Sequence, residues 1–304
     1  MKTDPTLIII TGPTSIGKSR IAMEAAELLC CPIVSADSRQ LYRGMEIGTA
    51  APSKEDLERI PHFMVGITQP DDTYSAVRYE AEVIPLLEKL FTRYHYVIME
   101  GGSMLYIDAI CKGIDLMPDI PSDIRDFLKE RQLTEGDKAL LAELQLVDND
   151  YFQCVDRCNM KRVLHALEIY YTTGKPYSSF LTATVKERPF RIRKIIIETA
   201  RDKLYASINK RTLSMIEKGW VEEVKKLLPY RYTNALDTIG YKELFLYLDG
   251  EIDLEEAIRQ IQRKTRLYAR KQITWHKRDK ECLHYPAEGN GEELLKLLWL
   301  KKEW

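Results

Sequence analysis

Short apolar runs alternate with amphipathic stretches over the first hundred residues. Residues 7–10, Leu-Ile-Ile-Ile, are apolar at every position and rich in β-branched side chains, which predicts a fully buried central strand. A helical pattern follows, with Ile21, Ala22, Ala25, Leu28 and Leu29 on one face. Residues 32–36, 61–67 and 96–99 read as three further short strands. Between them residues 42–50 have loop character, residues 74–94 read as a helix that Pro85 should kink, and residues 104–111 make another helix. Strand and helix in alternation predict an α/β fold, a parallel sheet of nucleotide-kinase type.

The pattern changes from about residue 113 to 188. Strand-like runs vanish, and three amphipathic helical segments take their place. One starts at Ser122 behind Pro121, and a second starts at Thr134 with Asp137 three residues on. A third covers residues 159–173 and stops at Gly174, with Pro176 beyond. This predicts a small all-helical insertion, residues 115–188, within a core made of residues 1–114 and 189–304. Strand character returns at 194–198, and the remainder reads as helices over 202–218, 221–228, 242–248 and 253–275.

Charge and cysteine usage sharpen this little. Lys and Arg number 45 against 46 Asp and Glu, so no global charge announces a nucleic-acid partner. The balance hides a basic last helix, with Arg259, Arg263, Lys264, Arg266, Arg270, Lys271, Lys277, Arg278 and Lys280, and Ile258, Ile261, Leu267 and Ile273 as its buried stripe. Tyr268, Trp275 and His276 among those cations suit base stacking. The six cysteines are scattered in a chain long enough to fold without staples, which favours reduced thiols; Cys154 and Cys158 are spaced like a metal half-site, but no second pair lies near. There is no signal-peptide pattern and no apolar run of membrane-spanning length, so a cytoplasmic chain is expected.

The candidate chemistry begins directly after the first strand. Gly12-Pro13-Thr14-Ser15-Ile16-Gly17-Lys18-Ser19 has the spacing G-x-x-x-x-G-K-S between a strand and a helix. Glycines at the two ends let successive N–H groups converge on phosphate oxygens, and the new helix points its positive end at the same anion. Lys18 adds a mobile charge, and the Ser19 hydroxyl can ligate Mg²⁺. The second strand delivers Asp37-Ser38-Arg39-Gln40 at its carboxyl end, the edge where open α/β sheets bind ligands. Asp37 then has two possible tasks. It can activate a hydroxyl against a γ-phosphoryl group, or activate a nucleophile against carbon while the cradled phosphate leaves.

Neighbouring motifs separate the two. The loop, residues 35–40 with 42–45 and 47–50, Tyr74-Ser75-Ala76, residues 101–106, residues 239–243 and residues 270–275 come in the order of the bacterial tRNA dimethylallyltransferases, which the chain resembles from residue 8 to residue 276. The resemblance implies transfer of a dimethylallyl group from dimethylallyl diphosphate to the N6 amine of an anticodon-loop adenosine, in tRNAs reading codons that begin with U. It implies Asp37 as general base, Ser103 where the family carries Thr, and Arg211 as a diphosphate contact. Gly12 to Ser19 would hold the diphosphate, with Mg²⁺ held partly by Ser19. Asp37, Ser38, Arg39, Gln40 and Ser103, together with Arg125, Lys161, Arg162, Val163, Leu164 and His165 of the insertion, resemble the tRNA-contacting positions. A monomer is expected. Three departures stand out. Ala51 replaces a family lysine, residues 62–66 read His-Phe-Met-Val-Gly, and residues 161–165 are less basic than the common pattern. A small-molecule P-loop kinase would leave the basic helix and the insertion unexplained. A soluble adenylate isopentenyltransferase would need neither. A non-catalytic RNA-binding protein has no use for the phosphate loop.

Overall fold

In the computed structural model the apolar run at residues 7–10 sits inside strand β1, Thr6–Thr11, which is buried along its whole length. Residues 4–182, 184–279 and 282–300 are described by the structure; Lys280 of the basic helix lies outside them. Helix α1 (Lys18–Leu29) leads to β2 (Ile33–Ser35), α2 (Glu46–Thr49), α3 (Lys54–Arg59), β3 (His62–Phe63), α4 (Ala76–Phe91), β4 (Tyr96–Gly101) and α5 (Met104–Lys112). After the insertion come β5 (Arg191–Glu198) and four helices. The first two are α10 (Arg201–Glu217) and α11 (Trp220–Lys226); the next two are α12 (Tyr241–Leu248) and α13 (Leu254–His276). Strand β6 (Leu283–Pro286) and α14 (Gly291–Leu300) follow.

Among the described residues six strands form one sheet in the order β3-β2-β4-β1-β5-β6, and every pairing there is parallel. β1 lies between β4 and β5, with Leu7 opposite both Val97 and Ile192. A strand covered on both faces and paired on both edges has no polar side to present, which is why its sequence does not alternate. One core joins Ile8, Ile10 and Ile98 to Ile21, Ala22 and Ala25 of α1 and to Leu294 and Leu295 of α14.

Several expectations need correction. Residues 42–50 are not all loop, because α2 forms there. Leu28 is 56% exposed, and the buried face of α1 carries Ala26 instead. β3 stops at Phe63 because Met64 takes a positive φ of 62°, which a pleated strand cannot continue. The helix expected over 74–94 is shorter, Ala76–Phe91, and contains Pro85. On α13 the buried stripe is Ala257, Ile261, Ala269, Gln272 and His276, while Leu267 faces solvent. β6 and α14 add to the expected elements: a four-residue strand that alternates buried and exposed and ends in proline carries little pattern.

Lys112–Lys186 forms a second compact unit. Its described residues hold four α-helices: α6 (Ser122–Glu135), α7 (Asp137–Val147), α8 (Asn149–Cys154) and α9 (Met160–Thr173). The second does not start at Thr134, because Gly136 at φ 80° and ψ 167° breaks the chain between α6 and α7. The additional helix, α8, is capped by Asp148, which accepts from Tyr151 N at 3.1 Å and from Ser178 N at 2.7 Å. Leu128, Leu140, Leu144, Val163 and Leu167 make this unit's own core. Where the chain leaves and re-enters it, Lys186 N donates to Lys112 O at 2.8 Å.

Just beyond, in the larger unit, Arg188 anchors the returning chain. Its guanidinium donates to Ile110 O, Ala109 O and Glu80 Oε1 at 2.7–2.8 Å, with both side chains of the ion pair about a tenth exposed. These carbonyls end α5, where a cation also meets the negative end of the helix. Arg188→Ala should therefore lower stability by about 3 kcal/mol, measured by chemical denaturation, because it leaves a buried charge less compensated. A loss below about 0.5 kcal/mol, the ordinary range for a surface change, would show that the anchor does not stabilise the fold.

Candidate functional site

Three strand ends meet at the carboxyl edge of the sheet. The Thr11 hydroxyl at the end of β1 donates to Gly101 O of β4 at 3.0 Å. β4 in turn runs so close to β2 that a Cβ on Gly101 would lie 2.3 Å from the Ala36 carbonyl. This close approach brings the phosphate loop, Asp37 and residues 100–103 to one place.

The loop has the geometry of an anion cradle. Gly12 has φ 148° and no room for a side chain, since a Cβ there would stand 2.8 Å from Ile197 O. Gly17, at φ 96°, precedes α1, whose first main-chain bond runs from Ile21 N to Gly17 O. The N–H groups of the first turn therefore have no partner within the helix. Lys18 is buried and its Nζ donates to Pro13 O at 3.1 Å. Burial holds its pKa below the usual lysine value, against the opposite pull of Glu100. Ser19 Oγ donates to Glu100 Oε1 at 3.3 Å, and burial raises the pKa of Glu100 while Lys18 opposes that rise.

Arg211 reaches in from α10, where Nη2 donates to the Thr14 hydroxyl at 2.7 Å. Burial lowers its pKa, but a guanidinium starts so far above neutrality that it stays charged. Asp37 Oδ1 accepts from Arg39 N at 2.8 Å, which fixes the carboxylate and leaves Oδ2 as an acceptor. Ser38 N donates to Ser103 Oγ at 2.8 Å, so Ser103 braces the turn that carries Asp37. Gln40 is buried behind it, and Arg39 donates to Asn234 O at 2.8 Å.

These residues open onto a cavity of about 590 Å³ lined by Thr14, Lys18, Ser19, Asp37 to Gln40, Glu100, Ser103 and Arg211. Met215, Trp220, Ile239, Tyr241, Ile261 and Tyr268 add an apolar wall. The lining thus offers cations to an anion and apolar surface to a small hydrocarbon, with Asp237, Lys242, Glu243 and Lys264 also on it. A strand-end carboxylate stands among them.

Two polar residues without an expected role prove central. Glu100 supplies the buried carboxylate beside Ser19. Gln272 of α13, 1% exposed, accepts from Thr14 N at 2.9 Å and donates to Gly102 O at 2.9 Å. The signal for Glu100 is an acid closing an apolar strand, whereas Gln272 looks like any polar residue of a basic helix. The insertion residues lie in the smaller unit. Arg125 is exposed on α6, and Lys161 and Arg162 are exposed on α9. His165 Nδ1 is 3.5 Å from Glu168, Leu164 packs against the unit's core, and Val163 is fully buried in it. The Val163 side chain therefore serves packing and does not face a partner.

The family model for IPP transferase matches residues 40–279. The chain belongs to the IPP transferase family. It is 50% identical over 290 residues to tRNA dimethylallyltransferase 1 of Bacteroides thetaiotaomicron, covering 95% of this chain and 94% of that one. Against tRNA dimethylallyltransferase 1 of Phocaeicola vulgatus the identity is 51% over 287 residues, with 94% and 96% covered. Among solved structures, the tRNA isopentenylpyrophosphate transferase of Bacillus halodurans superposes with a TM-score of 0.70 at 31% identity, covering 96% and 94% of the chains. A eukaryotic dimethylallyltransferase shares the fold, with a TM-score of 0.82 at 22% identity, covering 98% of this chain and 79% of that one.

In this IPP transferase the Gln272 clamp generates a direct test. Gln272→Leu removes both bonds and leaves Thr14 N and Gly102 O without these partners, so pyrophosphate affinity measured by calorimetry should fall by about tenfold or more. Unchanged affinity would show that the loop is held without it.

Proposed function

We propose that this chain is a tRNA dimethylallyltransferase. It prenylates the N6 amine of adenosine 37 in tRNA, as its near full-length likeness to such enzymes supports. One observation carries the reading onto this site: an anion cradle, a fixed carboxylate and an apolar wall line a single cavity. No helix among the described residues is long and apolar enough to cross a membrane.

The diphosphate of dimethylallyl diphosphate rests on N–H groups of the loop of residues 12–19, with Lys18 and Arg211 as its cations. Pro13 has no N–H and that of Thr14 is held by Gln272, so neither takes part. The five-carbon chain lies against the apolar wall. The exocyclic amine of adenine is a weak nucleophile, since its lone pair is delocalised into the ring. As the C–N bond forms and the allylic C–O bond breaks, Asp37 Oδ2 takes the amine proton. The loop amides, Lys18 and Arg211 neutralise the charge that develops on the leaving diphosphate. Ser103 keeps the Asp37 turn in place through Ser38 N. Ser19 Oγ and the Glu100 carboxylate, 3.3 Å apart at the cradle, are an oxygen pair that fits Mg²⁺. When bound there, the ion would supply further charge for the leaving group.

The target adenosine leaves its stack to reach Asp37. Ser38, Arg39 and Gln40 would meet the tRNA beside it, and Arg125, Lys161 and Arg162, with His165, would meet phosphates from the smaller unit. Asp37→Ala should lower single-turnover prenyl transfer by roughly a hundredfold or more while tRNA affinity changes little. Near-normal transfer in that variant would remove Asp37 as the base. For the smaller unit, Lys161→Ala with Arg162→Ala should flatten the salt dependence of tRNA binding. The slope of log affinity against log salt should fall by about 0.7–0.9 for each phosphate that is no longer neutralised, read from filter binding at several salt concentrations. An unchanged slope would leave the phosphates to the basic helix.

A further inference from the structure

The lining of the cavity includes a main-chain segment, residues 48–50, that lacks the support of a long helix. α2 is one turn long, so its N–H groups need partners from elsewhere. They find them on Glu223 of α11, a carboxylate 8% exposed. Glu223 Oε2 accepts from Ile47 N at 2.7 Å, and Oε1 accepts from Gly48 N at 2.9 Å and from the Tyr241 hydroxyl at 2.7 Å. The Tyr241 hydroxyl also lies 3.2 Å from Met45 O. Burial pushes the Glu223 pKa up, and these donors oppose that rise.

The other end of the segment is tied to the catalytic strand. Gln40 Nε2 donates to Thr49 O at 3.4 Å and to Ala50 O at 3.2 Å. Gln40 Oε1 accepts from the Ser35 hydroxyl at 2.8 Å, and Ser35 Oγ accepts from Asp37 N at 3.3 Å. A continuous chain of hydrogen bonds thus runs from Asp37 through Ser35, Gln40 and residues 47–50 to Glu223. Gly48 is pressed against the aromatic part of the same wall. A Cβ there would fall 2.2 Å from Trp220 Nε1 and 2.4 Å from the Tyr241 hydroxyl. Gly48, Thr49, Ala50, Trp220 and Tyr241 all line the cavity.

We infer that Glu223 is a positioning residue that sets the length of prenyl chain the cavity accepts, by holding the Gly48–Trp220–Tyr241 wall at a fixed distance from Asp37. The inference rests on the prenyl-transfer reading of the site. With the diphosphate on the loop and the adenine at Asp37, a longer chain that extends toward Gly48, Trp220 and Tyr241 meets this wall. Glu223 touches neither reactant. Its carboxylate uses both oxygens to accept donors, and no neutral isostere reproduces that: in Glu223→Gln an amide NH₂ must face an N–H or an O–H.

The test compares kcat/KM for dimethylallyl diphosphate and the ten-carbon geranyl diphosphate, with unmodified tRNA as acceptor, in wild type, E223Q and Y241F. E223Q should raise the KM for dimethylallyl diphosphate by about tenfold, the loss of roughly one well-made hydrogen bond to a charged group. It should also reduce the preference for five over ten carbons by a similar factor, about tenfold. Inhibition by pyrophosphate should stay within about twofold of wild type, because the loop is untouched. Y241F keeps the carboxylate and both backbone bonds, so it should shift the same ratio in the same direction by about threefold, and it decides the matter if E223Q does not fold. Variants that melt at lower temperature yet keep the wild-type chain-length ratio would overturn the inference, since that is what a merely structural role predicts. A wild-type protein that transfers neither chain would instead overturn the prenyl-transfer reading and the inference with it.

Discussion

The buried amide of Gln272 ties the phosphate loop to the end of β4, and the rest of the site depends on that bond pair. A loop that presents its N–H groups to an anion cannot also use them to hold itself together. Its shape has to be imposed from outside. Gln272 does this from α13, Thr11 does it from within the sheet, and Arg211 does it through Thr14. Three elements far apart in sequence each contribute a neutral or cationic group, so the cradle keeps its affinity for negative charge.

The same logic extends across the cavity. Asp37 is useful as a base only if its carboxylate is aimed and its turn is rigid, and Arg39 N and Ser103 Oγ supply both. The buried Lys18 and Glu100 offset one another where neither would be favourable alone. Lys18 and Arg211, the Asp37 carboxylate and apolar side chains such as Met215, Trp220 and Ile261 thus line one cavity. Each set matches one part of the proposed reaction.

The two compact units divide the labour along similar lines. The larger carries the sheet, the cradle and the wall. The smaller has a core of its own around Leu128, Leu140, Leu144, Val163 and Leu167, and it shows exposed cations on α9. Separate cores allow the smaller unit to vary its surface without disturbing Asp37 or the loop.

The α/β class, the strand–loop–helix at residues 7–29 and the place of Asp37 at a strand end are all legible in the chain alone. Each is written in local periodicity, in glycine spacing or in residues adjacent along the sequence. Pattern also reveals the helical insertion, although Gly136 moves the start of its second helix and the short α8 has no periodicity to announce it. The roles of Glu100, Glu223 and Gln272 exist only in the folded molecule. In the chain they are ordinary polar residues, and what distinguishes them is burial against donors 81, 176 and 258 positions away. The edge strand β6 and the buried stripe of α13 are likewise settled by what packs against them. Local pattern reports which face is apolar, but a polar side chain at a helix interface becomes functional only when another element brings it a partner.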